Sequence, residues 1–291
     1  MTLFQAFLLG VLQGATEFLP VSSSGHLVLV PWLFGWGEPG LAFDAVVHWG
    51  TALAVVVYFW RDWVSIVTAF FRSLPPQVGG LRAALAGREI PTDRRGAGLA
   101  SVDARLAWLI LLGTVPAAVI GFLLEDFFEA MFARPPAAAA FLLVTATLLT
   151  VAERLGRRQR ELDRLTWVDA LVIGLAQALA IFPGISRSGA TIAAGLAQGL
   201  RREPAARFSF LLATPIIFGA GLFKLVDLAQ VGDLPAQAPT LALGFLSAGV
   251  VGFGCIHFLL RYLQRRRLYP FAVYCAAAGV ACLLLALVRG G

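Results

Sequence analysis

Two short polar stretches interrupt a chain that is otherwise largely apolar: QGATEFLPVSSSGH (Gln13–His26) and PGISRSGAT (Pro183–Thr191). In the first, Gln13 and Glu17 are spaced i, i+4 and share one helix face. Pro20 ends that helix. Ser22, Ser23 and Ser24 can cap the next helix and leave its first N–H groups pointing into the break. Such an N-terminus is a ready anion site, and His26 falls in the first turn beyond it. A carboxylate, hydroxyls and an imidazole therefore converge where an anion would sit. In the second stretch Pro183 stops a helix. Gly184 and Gly189 permit close backbone approach, and Ser186 or Ser188 caps the helix that follows. Arg187, a guanidinium between two apolar runs, needs an anionic partner, and its planar fork fits phosphate bidentately. Structural alternatives stand beside these readings: Glu17 and His26 as satisfied hydrogen-bonding groups, and Arg187 as a salt-bridge partner of Glu17.

Other polar groups carry less. Asp44 and His48, again i, i+4, lie at the outer end of an apolar run and can face the same site. His257 reads as structural or interfacial, and Lys224 and Asp227 as side chains that snorkel near a span end. Cys255, Cys275 and Cys282 lie inside apolar stretches without metal-like spacing and read as small hydrophobes. Nucleotide-binding loops, zincin motifs, G-x-S-x-G and C-x-x-C are absent.

The elements that must position these residues follow from composition. Of 291 residues 59% are apolar and 14% charged, with a mean hydropathy of +0.81, whereas soluble domains carry about 25% charged residues. Soluble, disordered and fibrous classes are excluded. The runs are too long and too continuously apolar for the alternation of an outer-membrane barrel. An all-α polytopic membrane protein is expected. The net charge of +6 comes from 22 Arg and one Lys against 17 acids. These Arg sit in short polar links, where they set topology rather than bind nucleic acid. The N-terminus lacks the basic region of a cleavable signal peptide.

Full spans are expected at about 41–60, 106–124, 135–152, 204–226, 240–260 and 268–288. The pieces at 2–36 and 167–200 are each split by one of the two breaks. Arg72–Arg105 holds six Arg, Glu153–Thr166 five, Arg201–Arg207 three and Arg261–Arg267 four, while Glu125–Arg134 holds one and Asp227–Pro239 none. The first four segments are therefore assigned to the cytoplasm and the last two to the outside. This assignment makes 2–36 a re-entrant hairpin entering from outside and 167–200 one entering from the cytoplasm.

The two breaks also resemble each other. GVLQGATEFLPVSSSGH (Gly10–His26) aligns with GLAQALAIFPGISRSGA (Gly174–Ala190), with Gln13 on Gln177, Phe18 on Phe182 and Ser24-Gly25 on Ser188-Gly189 after one gap. Each copy precedes three crossings, so the second must be inverted. The expectation is an inverted-topology repeat, residues 1–152 and 167–288, each half a re-entrant helical hairpin plus three transmembrane helices, in one integral membrane domain.

At these motifs the chain resembles the undecaprenyl-diphosphate phosphatase family, also known for bacitracin resistance. Phe43–Trp63 (FDAVVHWGTALAVVVYFWRDW) and the RFSFLLATP segment that begins at Arg207 are also similar, and the likeness runs through nearly the whole chain in order and spacing. It implies a multi-pass enzyme of the bacterial inner membrane that hydrolyses undecaprenyl diphosphate to the monophosphate and phosphate. That reaction recycles the lipid carrier for peptidoglycan and other wall polymers. The resemblance also implies a divalent cation and a homodimer. The family's acidic pair falls on Gln13 and Glu17; its pattern allows Glu or Gln at the first place, and Gln here leaves one carboxylate. The hydroxyl cluster falls on Ser22, Ser23 and Ser24, the histidine on His26, and the second motif on Ser186, Arg187, Ser188 and Thr191.

The expected chemistry is charge neutralisation plus nucleophilic attack at phosphorus. Arg187, with the amides from Ser186 to Gly189 and the Gly184 backbone, clamps the diphosphate. Ser22, Ser24, Ser188 and Thr191 add donors, and Glu17 assisted by Gln13 holds Mg²⁺ or Ca²⁺. His26 is either a general base or the nucleophile. Ser23 is either the covalent residue or a phosphate donor, and a phosphoenzyme and direct water attack both remain open. The rival reading is a transporter or flippase for a lipid phosphate or other anion, since midplane helix breaks are a transporter hallmark. A carrier needs no nucleophile–base set, and that feature favours the hydrolase.

Overall fold

The computed structural model describes residues 1–37, 39–74, 97–230 and 234–289; within its helices the side chains at 41, 97–101, 125, 126, 129, 222–230 and 234–236 fall outside the description. Helix α1 (Leu3–Phe18) starts from a capping box in which Thr2 Oγ1 accepts from the Gln5 amide and Gln5 Oε1 from the Thr2 amide. It stops two residues before Pro20. Ser22 caps α2 (Ser23–Phe34), which ends at Gly35 in the left-handed conformation. Helix α3 (Leu41–Tyr58) leads into α4 (Trp60–Ser73), and α5 (Ala97–Leu123), the short α6 (Glu125–Phe132) and α7 (Pro135–Leu155) follow. A second capping box, Thr166 with Asp169, opens α8 (Trp167–Leu179), and Ser186 caps α9 (Arg187–Ala197). The chain then runs through α10 (Arg202–Gln230), α11 (Leu234–Arg265) and α12 (Tyr269–Arg289). Among the described residues no strand is formed, and the chain is an all-α, multi-pass membrane protein.

Among the described residues five helices are long and apolar enough to cross a bilayer: Val102–Leu123, Pro135–Leu155, Arg202–Gly221, Gln237–Arg265 and Tyr269–Arg289. The sixth expected crossing takes a different form. Helices α3 and α4 meet at an 81° bend at Phe59, so the pair is either one broken span or a re-entrant element. At 16, 12, 13 and 11 residues, α1, α2, α8 and α9 are too short to cross alone. Large side chains on the outer faces are bare, among them Phe122, Val250 and Leu287, each more than 70% exposed. Water would not tolerate such a belt, whereas lipid tails complete it.

Packing brings the short helices inward. α1 lies along α11, where a Cβ on Gly14 would stand 2.6 Å from the Ala248 carbonyl oxygen, so the helices approach backbone to backbone. α8 lies along α5, and α7 touches both α2 and α9. Phe18 and Phe210 meet edge to face at 5.3 Å in the main core. The Arg-rich segments at 153–166, 201–207 and 261–267 gather at one end of the molecule. There Arg202 and Arg158 pair with buried Glu153, which also accepts from the Leu268 amide, and Arg160 pairs with Asp169. Arg207 pairs with Asp62, and Ser65 with Asp103. Most of the polar stretch between α4 and α5, residues 75–96, lies outside the described residues, as do the side chains of Lys224 and Asp227.

Candidate active site

Glu17 lies in the last turn of α1 and is buried. Gln13 Nε2, one turn earlier, donates to its Oε2 at 3.0 Å, and Ser23 Oγ, across the Pro20 break, donates to the same oxygen at 2.5 Å. The other oxygen, Oε1, accepts from Arg187 Nη2 at 2.7 Å. His48 Nε2, from α3, stands 3.8 Å from Oε2. One carboxylate is thus shared by both breaks and by α3.

The breaks are built alike. Ser22 Oγ accepts from the Gly25 amide at 3.2 Å, and Ser186 Oγ from the Gly189 amide at 3.0 Å. Ser22 and Ser24 hydroxyls lie 3.3 Å apart, and those of Ser186 and Ser188 3.2 Å. Both helices begin one residue after their caps, so the amides of Ser23 and Ser24, and of Arg187 and Ser188, are the first-turn donors that a helix leaves without intrahelical partners. The breaks also touch. A Cβ on Gly25 would stand 2.9 Å from the Gly184 Cα, and Ser188 Oγ donates to the Leu19 carbonyl at 3.1 Å. Gly184 has φ +101°, a conformation that favours glycine, and a Cβ there would lie 2.1 Å from the Ala138 carbonyl oxygen. Thr145 of α7 fastens the second break, donating to the Gly184 carbonyl and accepting from the Ser186 amide, both at 2.9 Å.

The expected residues therefore meet, with two exceptions in detail. Thr191 is turned away; its hydroxyl bonds to the Arg187 carbonyl and to Ser209 Oγ. His26 is close but engaged at both ring nitrogens: Nδ1 lies 2.7 Å from the Ser22 carbonyl oxygen and Nε2 2.7 Å from Tyr274 Oη. Ser23 takes Glu17 as its partner. Thr145 and Tyr274 escaped sequence reasoning, because a threonine in an Ala/Leu helix and a tyrosine in an apolar span carry no spacing signal. His48 was within reach as part of the Asp44–His48 pair.

Two buried polar atoms at the site have no hydrogen-bond partner in the protein, Arg187 Nη1 and Gln13 Oε1. Leaving a buried donor unpaired is costly. Arg187 spends one arm of its fork on Glu17 Oε1 and leaves the other unsatisfied, while the half-buried Ser23 hydroxyl bonds to the other oxygen of the same carboxylate. A hydroxyl bonded to a carboxylate that is itself oriented by a third group is the arrangement of an activated nucleophile. For a divalent cation, one carboxylate and the bare Gln13 Oε1 are the protein oxygens at hand. No group of three or more His, Cys, Asp or Glu ligands exists among the described residues. This donor set fits a cation only as a partial shell that substrate oxygens and water would complete.

Comparison with known proteins bears on what this centre does. Residues 6–281 match the family model described as bacitracin resistance protein BacA. The undecaprenyl-diphosphatase of Rubrobacter xylanophilus is 47% identical over 287 residues, covering 97% of this chain and 98% of that protein. The undecaprenyl-diphosphatase of Pelotomaculum thermopropionicum is 44% identical over 289 residues (99% and 98%), and that of Geotalea daltonii 42% identical over 292 (100% of both).

Proposed function

We propose that this chain, which belongs to the bacitracin resistance protein BacA family, hydrolyses undecaprenyl diphosphate to undecaprenyl phosphate and phosphate. Its full-length similarity to undecaprenyl-diphosphatases supports that reading over a transporter or flippase. The observation that carries it is the second arm of Arg187, unpartnered and buried next to the Ser23–Glu17 pair. The terminal phosphate of a lipid diphosphate offers that arm its missing acceptor.

In this reading Arg187 Nη1 and the first-turn amides of α2 and α9 receive the non-bridging oxygens. Ser23 Oγ attacks the terminal phosphorus as Glu17 Oε2 takes its proton. The bond to the bridging oxygen breaks, and the electron pair leaves with the lipid monophosphate. Glu17 gives that proton up to the departing monophosphate. Water then attacks the phosphoserine as Glu17 takes the water's proton. The bond to Ser23 Oγ breaks as free phosphate leaves, and the proton returns from Glu17 to Ser23 Oγ. His26, occupied at both nitrogens, positions the break. A divalent cation, held by Glu17 and Gln13 Oε1, would supply further charge neutralisation on the diphosphate. The polyprenyl tail lies between spans in lipid-facing grooves.

The same reading places the protein in the bacterial inner membrane, with its Arg-rich end in the cytoplasm, as a homodimer. It also takes the matched caps at Ser22 and Ser186 as support for an inverted repeat whose two hairpins meet at Glu17. The decisive assay is phosphate release from undecaprenyl diphosphate by the purified protein in detergent, where no gradient can drive transport. Acid quenching during turnover should trap phosphate on Ser23. Absence of phosphate release would end the proposal, and release without a phosphoserine would move the nucleophile from Ser23 to water.

A further inference from the structure

His26, the imidazole of the first break, is held at both of its ring nitrogens. Its Nδ1 faces a carbonyl, that of Ser22, at 2.7 Å. Only an N–H makes that contact, so in the neutral ring Nε2 carries a lone pair. Tyr274 Oη lies 2.7 Å from Nε2 and donates to it. The two rings are nearly parallel, 9° between planes with centroids 5.6 Å apart. Tyr274 belongs to α12, 248 positions away in the chain. Tyr274 is 46% exposed, while His26 is buried. The hydroxyl thus reaches inward from the rim of the fold to a single imidazole nitrogen.

The far end of this relay explains why it matters. Ser22 has φ +74°, one of two non-glycine residues at positive φ among the described residues. A side-chain-bearing residue persists there only where its surroundings hold it. Three bonds do so: His26 Nδ1 and the His26 amide to the Ser22 carbonyl, and the Gly25 amide to Ser22 Oγ. Ser23, the next residue, sends its hydroxyl to Glu17. The neighbour of Tyr274, Cys275, lies against the Pro20 carbonyl on the other side of the break. At the far end of α2, Arg289 donates to the Trp32 and Leu33 carbonyls. Helix α12 therefore grips both ends of the segment that carries Ser23.

We propose that Tyr274 is a positioning residue for phosphate release: its hydroxyl fixes the His26 imidazole, which fixes the Ser22 carbonyl and thereby aims Ser23 at Glu17. This inference rests on the hydrolase reading above. The Tyr274 hydroxyl bonds to His26 and not to Ser23, Glu17 or Arg187, so its loss acts on Ser23 through His26.

The test is a double-mutant cycle on the purified full-length protein in detergent. Tyr274→Phe removes one oxygen and keeps the ring. It should lower kcat by about 10- to 100-fold, as misplacement of a reacting group does, with KM changed by no more than about twofold. In a His26→Gln background the same Tyr274→Phe change should have no further effect on kcat. A normal kcat in Tyr274→Phe overturns the proposal. Losses that add in the double variant also overturn it, because general loosening of α12 would act irrespective of His26. Wild-type protein runs alongside: if it releases no phosphate the hydrolase reading itself has failed, which is distinct from either outcome.

Discussion

Glu17 and Arg187 lie 170 positions apart and meet at 2.7 Å, and the value of that contact is set by what each lacks without the other. Arg187→Lys keeps the charge but loses the fork, so it cannot hold Glu17 and a phosphate oxygen together. It should lower kcat by about 10²–10³-fold, the effect of losing one preorganised donor, with the fold intact by thermal scanning. Arg187→Ala leaves a buried carboxylate uncompensated and should in addition cost about 3–5 kcal/mol of stability. The pair Glu17→Gln with Arg187→Met should be inactive yet recover most of that stability, read as Tm in detergent. Gln13→Glu restores a second acid beside Glu17. The cation concentration giving half-maximal phosphate release should then fall, and more chelator should be needed to abolish it.

Elements decide whether those residues stay in register. The second break depends on Thr145, which satisfies a carbonyl and an amide that face each other across the turn. Thr145→Val has nearly the same shape but leaves both groups unpaired, at about 1–3 kcal/mol each. Its expected signature is a lower Tm together with weaker substrate binding, as the Ser186 cap loosens. Gly184→Ala forces a side chain into positive φ and toward the Ala138 carbonyl. It should cost about 1–3 kcal/mol from the backbone conformation alone and separate the two breaks. Activity should fall with it, whereas Gly37→Ala, where the added carbon would meet nothing, should leave both measurements unchanged. The bend at Phe59 belongs to the same scale. It ends α3 after His48 has been presented to Glu17 and turns α4 so that Asp62 can reach Arg207.

At the scale of the whole molecule, one end gathers the Arg-rich links around Glu153 and Asp169, and the outer faces are bare hydrocarbon. In a background lacking the three native cysteines, Arg157→Cys and Gln264→Cys should be labelled by an impermeant thiol reagent only after cells are opened. Ala133→Cys, between α6 and α7, should be labelled in intact cells. Reversal of that pattern would overturn the sidedness read from the Arg count. The sequence by itself determined the membrane class, the two breaks and most of the polar residues that meet there. Composition, helix period and the intolerance of lipid for buried charge act locally, so they can be read along the chain. The tertiary structure decided who pairs with whom: that Ser23 turns to Glu17 and not to His26, that Thr191 faces away, and that Thr145 and Tyr274 hold the breaks from other helices. A hydrogen bond is satisfied or orphaned only once distant helices pack to within about 3 Å of each other. No spacing within a single segment encodes a partner 248 positions away.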